Sequence, residues 1–225
     1  MLRALDEGGR ARDTIVIFTA DNGHAPYTGW DKLVAAGHLP SGPYRGAKGD
    51  IWEGGHRVPL IMRWPGRVEA GSTSDQLVGL TDVFATLAEV IGSPLPAMAA
   101  EDSFSFLGAA LGRTSAGASR THLVNHSNHG EFAYREGPWK LVFRNQGPLA
   151  QSRGKPRTME LYHLGEDLAE KRDLAGERPA EVARLRAGLE RVVKGGGSRG
   201  VSGVTNDTEV RFDRTQPERW APALP

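Results

Sequence analysis

The chain holds 225 residues, of which 39% are hydrophobic and 24% charged, with a net charge of +1. That is the balance of a folded globular protein with room for one large domain or two small ones. So small a net charge offers no bulk electrostatic case for nucleic acid or an anionic membrane. Nor does any run approach the roughly 18 apolar residues of a membrane span. With no cysteine among these residues, they can supply no disulfide, thiolate metal site or cysteine nucleophile.

Met1 to Asp6 reads as the last turns of a helix stopped by Gly8 and Gly9. Its acidic residues and lack of an apolar stretch do not fit a signal peptide. Thr14 to Phe18 is β-branched or aromatic throughout and uncharged. It is expected to be a strand buried on both faces, as in a parallel sheet covered by helices. A long irregular stretch, His24 to Gly49, follows, with one possible helical turn at Asp31 to Ala36. Stretches of that length without regular structure are often functional. Val58 to Trp64 reads as a second buried strand that Pro65-Gly66 ends. Thr81 to Ile91 is the clearest helix. Thr81 can cap it, Val83, Phe84, Leu87, Val90 and Ile91 form its apolar stripe, and Gly92 stops it.

The character then changes. His122–Val124, Glu131–Tyr134, Trp139–Phe143 and Glu160–Leu164 are short strand candidates of antiparallel type, with a turn at Arg135–Pro138. The cluster Arg153-Gly-Lys155-Pro-Arg157 is expected to be a solvated loop. Glu177 to Lys194 is a second helix with Pro179 in its first turn and the stripe Val182, Leu185, Leu189, Val192. Residues 195–225 lack periodicity and read as a tail, disordered or draped over the body. The chain therefore divides on paper into 1–95, 96–194 and 195–225.

Chemistry is concentrated in the first part. Asp21 and Asn22 stand at the carboxyl end of the first strand, where open α/β sheets bind ligands. They offer the hard oxygen donors that Ca²⁺ or Mg²⁺ prefers, although Asn22-Gly23 is also a strong turn signal. Lys48 lies in a glycine-rich loop, Arg45-Gly-Ala-Lys-Gly49, and His56 follows two glycines just before the second strand. His24 and His38 flank the long irregular stretch and are candidates for a substrate subsite. Glu53 and Arg57 are placed to tie the loop together as an ion pair.

Four motifs in this order resemble the type I sulfatases of the alkaline phosphatase-like superfamily. They are Ile15-Val-Ile-Phe-Thr-Ala-Asp21-Asn22-Gly23, the run from Tyr44 through Lys48 and Glu53-Gly-Gly-His56 to Pro59, Arg63-Trp-Pro-Gly66, and the helix opening Leu80-Thr81-Asp82. Glu160-Leu-Tyr-His-Leu164 with its acidic follow-on also fits. The resemblance runs from about residue 1 to 194. It implies an α/β fold, specifically the C-terminal part of a mixed or parallel sheet flanked by helices, followed by a small antiparallel-sheet-plus-helix subdomain.

By that resemblance Asp21 and Asn22 would be ligands of Ca²⁺, with Mg²⁺ possible. Lys48 would contact the sulfate, and His56 would be a proton donor or, more in keeping with its surroundings, a supporting residue. The substrate would be a sulfated small molecule or glycan. A phosphatase or phosphonate hydrolase of the same superfamily, or a non-catalytic ligand-binding remnant, are the alternatives. The family's nucleophile is a formylglycine made from a C/S-x-P/A-x-R motif that precedes the Asp-Asn pair and opens a helix. Ser41-Gly-Pro-Tyr-Arg45 spells the letters but follows the pair, and glycines stand where the helix should begin. The 225 residues are thus expected to be a C-terminal portion that needs a separately encoded N-terminal half or its equivalent. The family is commonly periplasmic or secreted.

Overall fold

A computed structural model describes residues 1–96, 98–113 and 119–215. These fall into two compact units that interleave along the chain, so the boundary expected near residue 95 does not separate them. The first comprises 1–21, 58–123 and 195–204, and the second comprises 22–57, 124–194 and 205 onward.

In the first unit, β1 (Val16–Thr19) pairs with β2 (Leu60–Arg63) antiparallel, with Phe18 opposite Ile61 and Val16 opposite Arg63. The parallel, doubly buried strand expected from Thr14 to Phe18 is therefore corrected. Phe18 is 60% exposed and Ile61 58% exposed. Apolarity on both faces records a need for cover, and this pair is left largely uncovered by the described residues. A short helix, α1 (Leu2–Glu7), precedes β1, and Asp6 holds Arg63 at 2.7 Å. Trp64 donates its indole N–H to the Arg12 carbonyl at 3.2 Å.

The helix α2 (Trp30–Ala35) fills the expected turn in the second unit, and α3 (Glu53–His56) is a single turn there. Back in the first unit, α4 (Asp82–Val90) occupies the expected helix but faces the other way. Asp82, Ala85 and Thr86 are buried, whereas Phe84, Leu87 and Ile91 are exposed. Hydrogen bonding sets that orientation. Asp82 accepts Arg120 through both carboxylate oxygens, at 2.6 and 2.8 Å, and also the Gly79 and Phe104 amides. Thr86 Oγ1 accepts the Phe106 amide at 3.0 Å, just before the one-turn α5 (Leu107–Ala110). A buried carboxylate must be met by donors, and these donors lie on one side only. Thr81 makes no capping bond. Its hydroxyl donates to the Asp102 carbonyl instead.

The second unit is built on a four-stranded antiparallel sheet in the order β3-β4-β5-β6, to which it contributes all but the first two residues of β3 (His122–His126), and β4 (Phe132–Glu136), β5 (Trp139–Arg144) and β6 (Thr158–His163). β4 runs on through the expected turn at Arg135, and Gly137 at φ 58 turns the chain into β5. A one-turn helix, α6 (Leu149–Ser152), interrupts the β5–β6 connection.

Successive residues of a strand face opposite sides, and β5 follows that rule. Leu141 and Phe143 join Tyr134 and Leu161 under α7 (Pro179–Lys194), whose Leu185 and Leu189 are fully buried. Val142 joins Ala133, Tyr162 and Ile51 in a second cluster, with Trp52 packed against it. The tail drapes rather than dangles as far as it is described. Phe212 enters the α7 core, and Arg157, expected to be solvated, is buried as it donates to the Phe212 carbonyl and to Asn145. Residues 216–225 lie outside the described residues. No helix among the described residues is long and apolar enough to cross a membrane.

Candidate functional site

Backbone packing assembles the site segments of the second unit. The Gly23 amide donates to the Gly55 carbonyl at 2.9 Å, the Lys48 amide to the His24 carbonyl at 3.0 Å, and the Gly54 amide to the Arg45 carbonyl at 2.7 Å. These bonds bring Asn22, His24, Lys48 and His56 onto neighbouring stretches of chain. Glycine is needed because the backbones nearly touch. A Cβ on Gly23 would lie 1.8 Å from the Gly54 carbonyl oxygen, and one on Gly54 would lie 2.2 Å from that of Gly46. Gly23 therefore serves close approach rather than the hairpin its Asn-Gly pair suggested.

Lys48 is exposed, and its ammonium forms no ion pair among the described residues. It stands 6.0 Å from the ring centroid of Tyr27. His24 is half-buried, against Trp30 at 5.6 Å between ring centroids and 3.3 Å from Thr28 Oγ1. His38 is exposed and takes part in none of these contacts. The Ser41–Arg45 stretch is a turn. Ser41 donates to the Gly46 carbonyl at 2.9 Å, while Arg45 reaches the Glu170 carbonyl at 2.8 Å and stacks on Trp52 at 3.7 Å.

Asp21 and Asn22 follow β1. The Asp21 carboxylate is exposed and carries no hydrogen bond or ion pair among the described residues, and Asn22 donates its amide N–H to the Gly23 carbonyl at 2.9 Å. That leaves one carboxylate and one amide oxygen of suitable chemistry for a hard cation. Ca²⁺ takes six to eight oxygens, and no group of three or more His, Cys, Asp or Glu side chains placed to hold a metal occurs among the described residues. The pair fits as part of a coordination set, not as a complete one.

Glu53 is the hub beneath this loop. Its carboxylate receives Lys140 Nζ at 3.0 Å and Arg57 at 3.2 Å, with His56 Nε2 at 3.5 Å and Arg135 at 3.6 Å. Lys140 also reaches Glu170 at 2.8 Å, and Glu170 accepts the Glu53 amide at 2.6 Å. Lys140 and Glu170 are fully buried. Sheet register explains the arrangement. Arg135, Lys140 and Tyr162 are direct cross-strand partners in a row over β4, β5 and β6, on the face that carries Ile51 and Trp52.

Burial pushes the Glu53 carboxyl up, but the adjacent His56 imidazole and the Lys140 charge outweigh it and hold the group well below the usual carboxylate range. Burial wins at Glu170, which is raised despite Lys140. Burial also lowers His56 from its ordinary 6.5, against the opposing pull of Glu53. The Glu53–Arg57 pair was legible in the sequence, but Lys140, Glu170 and Arg135 were not. The available signal was a lysine set between apolar residues of a strand.

A lowered histidine favours the neutral folded state. Its contribution is present above about pH 6.5 and lost as pH falls through the lower folded value. The depressed Glu53 extends that loss below the ordinary carboxylate range. Glu170, being raised, acts in the opposite sense, favouring the fold at low pH and ceasing to as pH rises. Thermal melts of wild type and His56→Gln should therefore converge as pH falls from 7.5 to 5, because only the wild type must protonate a buried imidazole. Parallel curves would contradict this.

Comparison with known proteins places this geometry in a class. Residues 1–93 match the family model described as Sulfatase, so the chain carries part of a sulfatase-family domain, and its structural neighbours are sulfatases of the alkaline phosphatase-like fold. It is 34% identical over 200 residues to an N-acetylgalactosamine-6-O-sulfatase of Bacteroides thetaiotaomicron, covering 85% of this chain and 39% of that protein. To mouse (Mus musculus) steryl-sulfatase it is 43% identical over 97 residues, covering 43% of this chain and 15% of that protein. A solved Bacteroides thetaiotaomicron structure, titled for metabolism of multiple glycosaminoglycans, matches with a TM-score of 0.73 at 33% identity. That match covers 84% of this chain and 40% of the other. A Pseudoalteromonas sulfatase matches at 0.65 and 25% identity, over 84% of this chain and 38% of that one. The chain thus spans about two fifths of the length of the N-acetylgalactosamine-6-O-sulfatase it matches.

Proposed function

We propose that this chain supplies the sulfate-contacting side of a sulfuric ester hydrolase acting on an aryl or carbohydrate sulfate. The observation that carries this is Lys48, an exposed ammonium without an ion pair among the described residues, on a loop fixed by backbone bonds to His24 and Gly54. Hydrolysis of a sulfate ester builds charge on the sulfuryl oxygens, and a fixed ammonium stabilises it in place. Asp21 and Asn22 would hold part of a Ca²⁺ shell, with Mg²⁺ as the other choice. When bound, the ion would polarise a sulfuryl oxygen as a Lewis acid. His56 is turned toward Glu53 and kept neutral, which favours a supporting role over proton donation. His24 borders the Lys48 loop and is the nearer of the two subsite histidines by backbone connection; the His38 amide donates to the Leu33 carbonyl at 2.9 Å, within its own stretch of chain.

The 225 residues hold no formylglycine motif in the required position, so bond cleavage needs a nucleophile from outside them. The apolar surfaces of the first unit support the same view. Phe18 and Ile61 on the β1–β2 pair, and Phe84 and Ile91 at α4, are 56–77% exposed, and large apolar groups left facing water mark interaction surfaces. We assign those surfaces to the remaining part of the sulfatase fold, supplied by a separately encoded N-terminal half or its equivalent.

The purified 225-residue chain is expected to leave 4-nitrophenyl sulfate unhydrolysed above background and to bind Ca²⁺ only weakly. Adding the region of the Bacteroides relative that this chain does not match should give turnover that Lys48→Ala abolishes. Robust turnover by the chain alone, lost in Lys48→Ala, would overturn the assignment of an incomplete site. Preference for the phenyl phosphate in the reconstituted mixture would favour a phosphatase.

A further inference from the structure

We infer that Lys140 and Glu170, distant in sequence from the sulfate loop, are positioning residues for Lys48: they fix the seat of residues 45–56 through Glu53. The inference rests on the sulfate-contact reading of Lys48.

Two features unfavourable to stability converge at this seat. A fully buried lysine is held between two carboxylates, and both Lys140 and Glu170 are wholly withdrawn from water. Burying such charges is offset only by good pairing. Replacement of a whole buried ionic group by neutral residues of similar volume is often harmless to stability or raises it. Glu170 also sits at φ 50, in the left-handed region that disfavours a side chain. A fold selected for stability alone has no need of both.

What the arrangement does achieve is placement. Glu170 takes the Glu53 amide on its carboxylate and the Arg45 guanidinium on its carbonyl, at 2.6 and 2.8 Å. Those two contacts grip the loop on either side of Lys48. Lys140 aims the Glu53 carboxylate from below, and the same carboxylate faces His56 and Arg57. Trp52 is clamped between Arg45 at 3.7 Å and Arg144 at 4.2 Å, on the same face of the sheet. The loop is thus located by charge geometry, which has one solution, rather than by apolar contact, which tolerates sliding.

The test is a triple variant, Glu53→Gln, Lys140→Met and Glu170→Gln, which removes the charges and keeps the volumes. Two readouts are compared with wild type in the 225-residue chain. The first is amide exchange of the Lys48 and Gly54 N–H groups, which needs no ligand. The second is an NMR titration of the Lys48 side chain with inorganic sulfate. Expected are a melting temperature within a few degrees of wild type, exchange at both amides faster by tenfold or more, and sulfate affinity lower by tenfold or more. Restoring Glu53 and Lys140 together should recover most of the exchange protection.

Unchanged exchange at Lys48 and Gly54 would overturn the positioning role whatever sulfate does. A large fall in melting temperature, with exchange faster throughout the second unit, would overturn it too, by making the group structural. If wild type shows no sulfate response at Lys48, the sulfate reading fails, and with it the functional purpose of the seat, even where the exchange result holds.

Discussion

Lys140→Met alone should destabilise the second unit by about 3–5 kcal/mol, the range for breaking a buried charge group by removing one partner. At roughly 2–4 °C per kcal/mol for a protein of this size, the melting temperature drops by about 6–20 °C. Among the described residues Lys140 is the one cation paired with the Glu170 carboxylate, Arg45 meeting only its carbonyl, whereas Glu53 retains Arg57 and Arg135. Glu170, already raised by burial, can take up a proton once the lysine is gone. The loss should therefore be smaller at pH 5 than at pH 8, because the proton neutralises the stranded carboxylate. Denaturant melts at the two pH values measure both quantities. A loss under about 1 kcal/mol, or one that grows toward pH 5, would show that the buried lysine does not anchor the group.

Gly23→Ala is the second change with a large expected effect. The added carbon would stand 1.8 Å from the Gly54 carbonyl oxygen and within 2.9 Å of the attached carbon. The obstacle is backbone, so no rotamer change relieves it. Overpacking a well-fitted site costs about 1–3 kcal/mol and sometimes more. Relief here means separating the Asn22–Gly23 segment from Gly54 and Gly55, with loss of the 2.9 Å Gly23–Gly55 bond. The protein should lose stability, and the His56 and Lys48 resonances should both move, since their strands of chain share that contact. Gly176→Ala is the control: a Cβ there meets nothing within 4 Å, and the effect should stay within about 0.5 kcal/mol. Equal behaviour of the two variants would mean that the close approach is not enforced.

Helix and strand positions were legible because period and punctuation are local. α7 begins at Pro179 and buries Leu185 and Leu189 from the expected stripe, and β5 forms over Trp139–Phe143 but is buried on both faces rather than half-buried as its alternation suggested, because Lys140 and Val142 are covered too. The order of Asp21-Asn22-Gly23, Lys48, Glu53-Gly-Gly-His56 and Trp64-Pro-Gly66 carried the family, since motif order survives without coordinates. Lys140, Glu170 and Arg157 were not legible. A charged residue in a strand or loop reads as solvated until a partner far along the chain is brought against it. Here sheet register sets Lys140 between Arg135 and Tyr162, beneath Glu53.

α4 makes the division plain. Its sequence determined that a helix forms and that one face is apolar. It could not determine which face is buried within this chain, because that depends on donors elsewhere. Arg120, the Phe104 amide and the Gly79 amide all meet Asp82, so the polar face turns inward while Phe84 and Ile91 stay in water. The sequence by itself determined local conformation and the order of the motifs. The tertiary structure decided which charges are buried, which strands lie side by side, and which glycines must be glycines. Those outcomes depend on distances between residues far apart in the chain, and short-range propensity holds no information about them.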